Sequence, residues 1–403
     1  MEKQKRLMLL GGIRYLLPVI KAAHEQGYYV ITADYLPDNI AHKYSDEYVN
    51  VSIIDKEAVL RIAREKQIDG IMSFGVDPGV TTASYVQNQL GLPSFGPYES
   101  VDILQNKDKF RAFLQANGFN TPWSYSFSSA IEAWSNKDKF SYPLIVKPTD
   151  SAGSKGVSKV EKEDTLKSAL EYALQHSIKG KIIAEEFIEK QGCSSDSDCF
   201  SISGKLHTVT FSAQRFDTDV AGAFVPAAYS WPSTMSKEQE QTLREDLQRL
   251  LTLLHMNTSV YNVETRIGIN GKPYIMEVSP RGGGNRLSEV VRYATGVDMI
   301  TAAVRAAVGE GFSLKEINAY NGHWAEIVLH SDKTGIFEQL EIADSLHADI
   351  IEKDLWVKQG DKVDCFVGAN NAIGMLILKF HSQEELEKAL ATQKEWLKVI
   401  VRN

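Results

Sequence analysis

Residues 142–157, with the sequence YPLIVKPTDSAGSKGV, join a short apolar strand to a loop rich in glycine and serine. Such a loop can bring several backbone N–H groups close to a phosphate. Lys147 lies at the end of the strand predicted at 144–147, where its ammonium could neutralise phosphate oxygens. Taken alone, the loop or the lysine is more typical of a flexible hairpin, so the prediction of a phosphate site depends on the rest of the chain.

Two glutamates downstream support that prediction. Glu264 and Glu277 lie on the arms of a hairpin predicted at 261–269 and 272–278, with Asn270-Gly271 as a type I′ turn. Carboxylates opposed across two strands repel each other, so we expect a cation between them. Mg²⁺ bound with nucleotide phosphates takes one or two protein carboxylates, which favours a Mg²⁺ and nucleotide site. The alternative is a solvated hairpin face with exposed acids, and it is less consistent with the loop upstream.

Composition limits the classes of protein that need to be considered. The chain has 403 residues, which predicts two or three domains, and its formal net charge of −8 argues against nucleic acid as the main partner. No apolar stretch is long enough to span a bilayer, so we expect no membrane association. Three cysteines without paired spacing indicate neither a disulfide framework nor a zinc cluster, and a cytoplasmic location is the default expectation.

The first part of the chain alternates strand and helix patterns. This alternation predicts a parallel sheet covered on both faces, a Rossmann-like domain at 1–95. Gly11-Gly12 follows the first strand but lacks the third glycine of a dinucleotide fingerprint. Ligands of such sheets bind at the carboxyl ends of the strands, where Arg14, Asp34 and Asp77 could line a substrate cleft or simply cap helices. The strands are predicted at 6–10, 28–32, 48–51 and 70–73, and the helices at 16–26 and 55–66.

The remainder has an α+β pattern without an internal repeat. We predict a central domain at 96–322, with a mobile lobe at about 142–214, and a small α+β cap at 323–403. Predicted strands lie at 144–147, 157–160, 181–185, 198–203 and 205–214, and predicted helices at 107–117, 163–176, 237–255 and 383–396.

With these motifs in place, the sequence resembles the ATP-grasp superfamily over nearly its whole length, and most of all the carboxylate-amine ligases, the L-amino-acid ligases and the purine-pathway and carbamoyl-phosphate-type enzymes. The likeness rests on the segments at 107–109, 147–148, 151–156 and 184–188, and on Glu264 and the Glu277-Val278-Ser279-Pro280-Arg281 motif. It implies a nucleotide held between two α+β lobes, with Lys107 and Lys147 on the phosphates. The Glu186 carbonyl and the Ile188 N–H would read adenine. The implied nucleotide-binding residues are Lys107, Lys147, Ser151, Gly153, Ser154, Gly156, Glu185, Glu186, Phe187 and Ile188.

Two positions depart from the family pattern. The glutamate that usually holds the ribose hydroxyls is missing after Gly192, so that role is vacant or falls to Asp196 or Asp198. Ser279 stands where the third metal ligand is usually asparagine. We therefore predict one Mg²⁺, or Mn²⁺, held firmly by Glu264 and Glu277, and a second metal ion bound weakly near Ser279.

The resemblance implies an ATP-dependent ligase that joins a small-molecule carboxylate to an amine through an acylphosphate. Arg281 is predicted to stabilise the acyl intermediate and Lys155 is also assigned to catalysis, while residues 151–156 would close as a lid. A bicarbonate-using carboxylase or carbamoyl-phosphate-type enzyme is one alternative, and a non-catalytic nucleotide-binding module is another. The substrates are not identified by the sequence, although Arg14, Asp77, Arg215, Arg266 and Arg292 are candidates to contact them, and a homodimer is one expectation for assembly.

Overall fold

The computed structural model describes residues 3–150, 155–220, 222 and 224–402, and Ser151, Gly153 and Ser154 therefore lie outside the described residues. The strands are β1 Arg6–Leu10, β2 Tyr29–Asp34, β3 Glu47–Asn50, β4 Gly70–Ser73, β5 Ser124–Phe127, β6 Leu144–Pro148, β7 Ser158–Val160, β8 Ile182–Glu186, β9 Ser195–Ile202, β10 Lys205–Thr208, β11 Ala213–Phe216, β12 Pro226–Trp231, β13 Ser259–Ile267, β14 Pro273–Ser279, β15 His323–Leu329, β16 Gly335–Ile342, β17 Ile350–Leu355, β18 Lys362–Val363, β19 Gly374–Phe380 and β20 Leu397–Arg402. The α-helices are α1 Leu17–Glu25, α2 Lys56–Glu65, α3 Asp77–Leu90, α4 Tyr98–Gln105, α5 Lys107–Ala116, α6 Ala130–Ser135, α7 Leu166–Gln175, α8 Lys237–Leu253, α9 Leu287–Thr295, α10 Met299–Ala307, α11 Gln383–Ala391 and α12 Gln393–Trp396.

The N-terminal sheet is parallel, as predicted, with the strand order β3-β2-β1-β4. Alternate residues of β1 enter two different apolar clusters, Leu7 and Leu9 on one face and Met8 and Leu10 on the other. The sheet is therefore buried on both faces, which is why its first strand reads as a continuous apolar run.

The helix after β4 has no counterpart in the sequence prediction. Helix α3 buries Val80, Ala83 and Val86, but small and β-branched residues with weak helix propensity lie between them. Asp77 occupies the first turn of α3, where a carboxylate is stabilised by the helix dipole.

An antiparallel sheet of order β5-β8-β6-β7 follows, and its strand β6 contains Lys147. Helices α6 and α7 cover it around an apolar cluster that includes Leu144, Val146, Leu170 and Ile182. A second antiparallel sheet has the order β10-β9-β13-β14. The mixed α/β and α+β fold class is confirmed.

The segment predicted as one strand at 205–214 is in fact two strands. Strand β10 pairs with β9, whereas β11 pairs with β12 in a different sheet. Between them, Thr210 donates its hydroxyl to the Asp198 carbonyl oxygen, and the Ser212 N–H donates to the Ser195 hydroxyl oxygen. Side-chain hydrogen bonds thus hold this crossing segment beside β9 and replace a continuous strand ladder.

The C-terminal region shares a sheet with the central segment. The order β11-β12-β15-β19-β17 places two strands from before residue 232 against three from after residue 322, and a smaller sheet has the order β18-β16-β20. The predicted helix at 383–396 is divided into α11 and α12. Within the described part of the chain, no helix is both long and apolar enough to cross a membrane.

The β13–β14 hairpin is present, but its turn differs from the prediction. Gly271 has a φ of +75° and Asn270 does not have a positive φ, which rules out a type I′ turn. The Gly271 N–H donates to the Gly268 carbonyl oxygen, and the Gly268 N–H donates to that of Lys272. This is the three-residue hairpin loop in which a turn is followed by a left-handed glycine. The Asn270 side chain stabilises it by accepting from the Lys272 N–H.

Candidate active site

The predicted acidic pair lies directly opposite across the hairpin. Glu264 on β13 is paired with Glu277 on β14, and on its other side with Asp196 on β9. Three carboxylates therefore lie in one row across three neighbouring strands. Like charges opposed in this way are destabilising, so the row requires cations or protons.

Lys107, at the start of α5, supplies one of these cations. Its ammonium lies 3.1 Å from a carboxylate oxygen of Glu277. Burial raises the pKa of Glu277, but Lys107 and then Lys147 outweigh it, so the net direction is down. The pKa of Glu264 is raised, first by burial and then by Glu277. The side chain of Glu264 makes no hydrogen bond or ion pair with any described residue, so its carboxylate is available to a metal ion.

Lys147 lies where the quoted stretch predicts it, at the end of β6, and it is buried against Glu185 of β8. Burial lowers the pKa of Lys147. Burial raises the pKa of Glu185, but Arg111 and Lys147 together outweigh this effect and lower it to about 2. The Glu185 carboxylate is therefore a counterion for Lys147. Glu185, which was predicted to bind the nucleotide, thus has the role of positioning Lys147.

Arg111 was missed by the sequence analysis. Its Nε lies 3.0 Å from Glu185, and its Nη1 donates to the Met276 carbonyl oxygen at 2.8 Å. The available signal was the position of Arg111 on an amphipathic helix, where it lies beside the apolar Phe110 and one turn before Leu114. Arg111 links the sheet that carries β8 to the sheet that carries β14.

The segment after β8, where the adenine contacts are predicted, has both bonded and unbonded backbone groups. The Phe187 N–H donates to the Pro143 carbonyl oxygen, and Arg266 donates to the carbonyl oxygen of Ile188. The Ile188 N–H has no acceptor among the described residues, so it is free to donate to a ligand. Glu186 precedes it at the end of β8.

Gly156, at the described end of the loop, packs closely against two neighbouring side chains. Gly156 has a φ of +74°, and a Cβ at this position would lie 2.8 Å from both Pro148 and His176. Only glycine meets both conditions without strain. Lys155 is exposed.

Arg281 is buried and forms a two-point ion pair with Asp77. Its Nε lies 2.8 Å from Oδ1 and its Nη2 lies 2.7 Å from Oδ2. Burial raises the pKa of Asp77, but Arg281 outweighs it and the net direction is down. Ser279 donates its hydroxyl to the same Asp77 oxygen and accepts a hydrogen bond from Gln105. Asp77 thus fixes both residues of the motif to the N-terminal sheet domain.

The two acids considered for the ribose have other partners. Asp198 accepts hydrogen bonds from the Gly283 N–H, at 2.8 Å, and from the Ser288 hydroxyl. Asp196 accepts from Asn262 at 2.7 Å and from the Tyr229 hydroxyl at 3.4 Å. Asp198 therefore positions the glycine loop. Because the Gly283 N–H donates to Asp198, it is not available to a ligand.

The other candidate substrate contacts are distributed over the molecule. Asp34 is bound to the Leu36 N–H and the Asn39 amide, and it therefore stabilises the loop that follows β2. Arg215 is paired with Glu387 and Arg292 with Asp298. Arg14 lies over the Trp356 ring, 5.2 Å from its centroid.

Arg14 and Trp356 line an open cavity of about 980 Å³ between the N-terminal domain and the C-terminal strands. Tyr15, Phe74, Gly283 and Arg286 also contribute to its wall. Because Gly283 lies two residues beyond Arg281, this cavity adjoins the motif and is large enough for a small-molecule substrate.

The residues present fit a nucleotide with Mg²⁺. Lys107 and Lys147 lie near the acidic pair, and the partly buried carboxylate of Glu264 lies beside Glu277 without a side-chain partner among the described residues. Among the described residues there is no group of three or more His, Cys, Asp or Glu side chains arranged around one metal position. A metal ion here would therefore take its other oxygens from phosphate and water, as Mg²⁺ commonly does.

Comparisons with known proteins agree with this arrangement. Residues 104–285 match the family model of the ATP-grasp domain. The chain is 26% identical over 301 residues to a carbamoyl phosphate synthase large chain from a Thermoanaerobacter strain, which covers 72% of this chain and 26% of that protein. The C-terminal section of the same enzyme from Aquifex aeolicus is 26% identical over 78% of this chain and 59% of its own length. This chain thus spans about a quarter of the first of these relatives.

Solved structures with the same fold extend over the whole chain. The L-amino acid ligase from Bacillus licheniformis has a TM-score of 0.82 at 22% identity and covers 100% of both chains. Phosphoribosylglycinamide synthetase from Anaerococcus prevotii has a TM-score of 0.76 at 20% identity, over 99% of this chain and 100% of that one. The segment that matches the ATP-grasp domain model, residues 104–285, contains the two lysines, the paired glutamates and Arg281.

Proposed function

We propose that the protein is an ATP-dependent ligase that joins a carboxylate to an amine and releases ADP and phosphate. The observation that carries the proposal is the convergence of Lys107 and Lys147 on the paired acids Glu264 and Glu277. Cations for phosphate and carboxylates for Mg²⁺ are the two requirements of a phosphoryl-transfer site. When bound, Mg²⁺ would neutralise charge that develops on the phosphate oxygens.

Each residue has a defined task in this proposal. Lys107 and Lys147 hold the phosphates, and the Ile188 N–H donates to adenine. Glu185 keeps Lys147 charged in its buried position, because a neighbouring carboxylate favours the ammonium form.

The carboxylate of the first substrate attacks the γ-phosphate of ATP, which forms an acylphosphate and releases ADP. The amine then displaces phosphate from the acylphosphate and forms the amide. Arg281 is the group that we place beside the reacting carboxyl, where its charge stabilises the anionic oxygen. The bidentate contact with Asp77 restricts the guanidinium to one orientation. Residues 151–156, with Lys155, would close over the site and exclude water from the acylphosphate.

We propose one Mg²⁺ at Glu264 and Glu277, for which Mn²⁺ could substitute, and a second ion near Ser279. The Ser279 hydroxyl is shared between Asp77 and Gln105, so the second ion would have to compete for it. The nucleotide would supply most of its ligands, which is the reason we expect weak binding.

The reaction with bicarbonate in place of an organic carboxylate remains a second candidate. It is supported by the sequence similarity to carbamoyl phosphate synthase large chains. The full-length structural likeness to an L-amino acid ligase supports the organic carboxylate. The two candidates differ in their first substrate, so one assay distinguishes them.

The assay is ADP release from ATP and Mg²⁺ in the presence of bicarbonate or of amino acids tested singly and in pairs, with product masses recorded. We expect release that depends on an organic carboxylate and an amine, and a new amide in the products. Glu277→Gln should abolish it, whereas Glu171→Gln, an exposed change on α7, should not. ADP release with bicarbonate alone would support the second candidate, and tight ATP binding without any acceptor-dependent release would indicate a non-catalytic module.

A further inference from the structure

Arg266 is a cation of the site for which the proposed reaction has so far no role. The partly exposed residues of β13 alternate along the strand, and they are Asn262, Glu264 and Arg266, so these side chains share one face of the sheet. Burial lowers the pKa of Arg266, whereas Glu264 and then Glu185 raise it. Arg266 therefore lies within electrostatic range of both acids, but it forms no ion pair with a described residue.

Two of the three guanidinium nitrogens of Arg266 hold neighbouring segments. Its Nη1 donates to the Ile188 carbonyl oxygen at 2.9 Å, and its Nε donates to the Ser194 hydroxyl oxygen at 3.1 Å. Its Nη2 has no acceptor among the described residues and is open to solvent, in contrast to the buried Nη2 of Arg111. The guanidinium is thus held in place while the two N–H donors of Nη2 remain available to a ligand.

The location of Arg266 corresponds to the middle of the proposed nucleotide. Ile188, whose N–H is proposed to donate to adenine, is bound to Arg266 through its carbonyl oxygen. Glu264, which is proposed to hold the metal ion on the phosphates, lies two residues away on the same face of β13. The ribose of a nucleotide joins the base to the phosphates. Arg266 therefore lies where the ribose has to pass.

The groups at this location can donate hydrogen bonds but cannot accept them. Lys190 lies within electrostatic range of Arg266 and, like Arg266, forms no ion pair with a described residue. Neither an ammonium nor a guanidinium has an acceptor atom. Asp196 and Asp198, the acids considered for the ribose, already accept hydrogen bonds from Asn262 and from the Gly283 N–H. A ligand at Arg266 must therefore supply the acceptor.

We propose that Arg266 binds the ribose of the nucleotide by donating from Nη2 to a hydroxyl oxygen, in place of the glutamate that is missing after Gly192. The inference rests on the proposed nucleotide site and adds a specificity-determining residue to it. The direction of the hydrogen bond is reversed, because a glutamate accepts from a ribose hydroxyl whereas a guanidinium donates to one. A nucleotide without that hydroxyl would leave a charged donor unpaired and should bind more weakly.

The test compares ADP with 2′-deoxy-ADP and 3′-deoxy-ADP, each with Mg²⁺, by calorimetry. The proteins are wild type, Arg266→Met, Arg266→Lys and the control Arg61→Gln, an exposed change on α2. We expect wild type and the control to prefer ADP over one deoxy form by about tenfold or more, as for a hydrogen bond to a charged group. Arg266→Met, which has no donor, should lose this preference. Arg266→Lys, which keeps a charged donor, should lose only part of it.

The preference between nucleotides separates a ribose contact from a structural role. Because Arg266 also holds Ile188 and Ser194, its replacement can weaken the binding of all three nucleotides. Equal losses that leave the preference unchanged would overturn the proposal. Loss of the preference in Asp196→Asn but not in Arg266→Met would also overturn it, since an acid would then hold the hydroxyl.

The measurement also distinguishes this inference from the proposed ligase function, because binding is recorded without turnover. Wild type that binds ADP and both deoxy forms equally would overturn the role of Arg266 and leave the ligase proposal intact. Wild type that binds none of the three would remove the nucleotide site, and both proposals with it.

Discussion

The buried ion cluster of Glu185, Arg111 and Lys147 should make the contact between the two sheets depend on pH. The pKa of Glu185 falls from 4.5 to about 2 in the folded protein. At about 1.4 kcal/mol per pKa unit, the charged form of Glu185 contributes about 3 kcal/mol to stability. The folded pKa is the lower one, so this contribution is complete above pH 4.5 and declines as the pH falls toward 2. About 2 kcal/mol of it should be lost by pH 3.

Replacing Glu185 with Gln removes the charge and keeps the side-chain shape. The free energy of local opening of β6, β8 and α5 is measured by hydrogen exchange between pH 6 and pH 3, in wild type and in Glu185→Gln. We expect the wild type to lose about two thirds of its advantage over this range, because Glu185 takes up a proton in the open state but not in the folded state. Glu171→Gln, an exposed change in the same lobe, should behave as wild type throughout. A difference between wild type and Glu185→Gln that stays constant with pH would refute the assigned pKa and its cause.

Three further substitutions test the site. Lys147→Ala should weaken ATP binding by about 1.5 to 3 kcal/mol, the range for hydrogen bonds to charged groups, and unchanged calorimetry would remove Lys147 from the phosphates. Arg281→Lys should reduce turnover more than ATP affinity, since an ammonium does not reproduce the two-point contact with Asp77; equal losses would place Arg281 on the nucleotide. Ser279→Asn should lower the Mg²⁺ concentration for half-maximal turnover and Ser279→Ala should raise it, whereas superimposed titrations would show that Ser279 does not contact the metal.

The elements that were predicted correctly are those in which the local pattern and the tertiary environment agree. Strand β4 has the predicted bounds because it is a short, fully buried segment with two apolar residues at its centre. The opposition of Glu264 and Glu277 was also predicted, since a hairpin with defined arms fixes the register between them. The loop between the arms was assigned wrongly, because Asn-Gly is compatible with more than one turn and the Asn270 side chain stabilises the longer loop.

The contacts between distant parts of the chain were not accessible to the same reasoning. Asp77 was a candidate for a cleft, yet its bond to Arg281 joins residues separated by about 200 positions and depends on how the N-terminal sheet packs. Glu326 lies among apolar residues of β15, and its sequence pattern gives no reason to expect a buried carboxylate without a partner. The domain boundaries at 95 and 322 and the lobe at 142–214 remain predictions.

The charge balance of the site connects the proposed metal with neighbouring acids that have no cationic partner among the described residues. Asp77, Glu185 and Glu277 each have a cationic partner, whereas Asp196, Glu264 and Glu326 form no ion pair with a described residue. Asp196 is the neighbour of Glu264 in the sheet and accepts a hydrogen bond from the Tyr229 hydroxyl. Tyr229 is the cross-strand partner of Glu326. Burial, followed by the charge of Glu264, raises the pKa of Asp196 to about 8. A metal ion bound at Glu264 would favour the ionised form of Asp196, because a nearby positive charge lowers the pKa of a carboxyl group. Metal binding should therefore release a proton from Asp196 near neutral pH, and the apparent affinity for Mg²⁺ should rise as the pH increases through about 8.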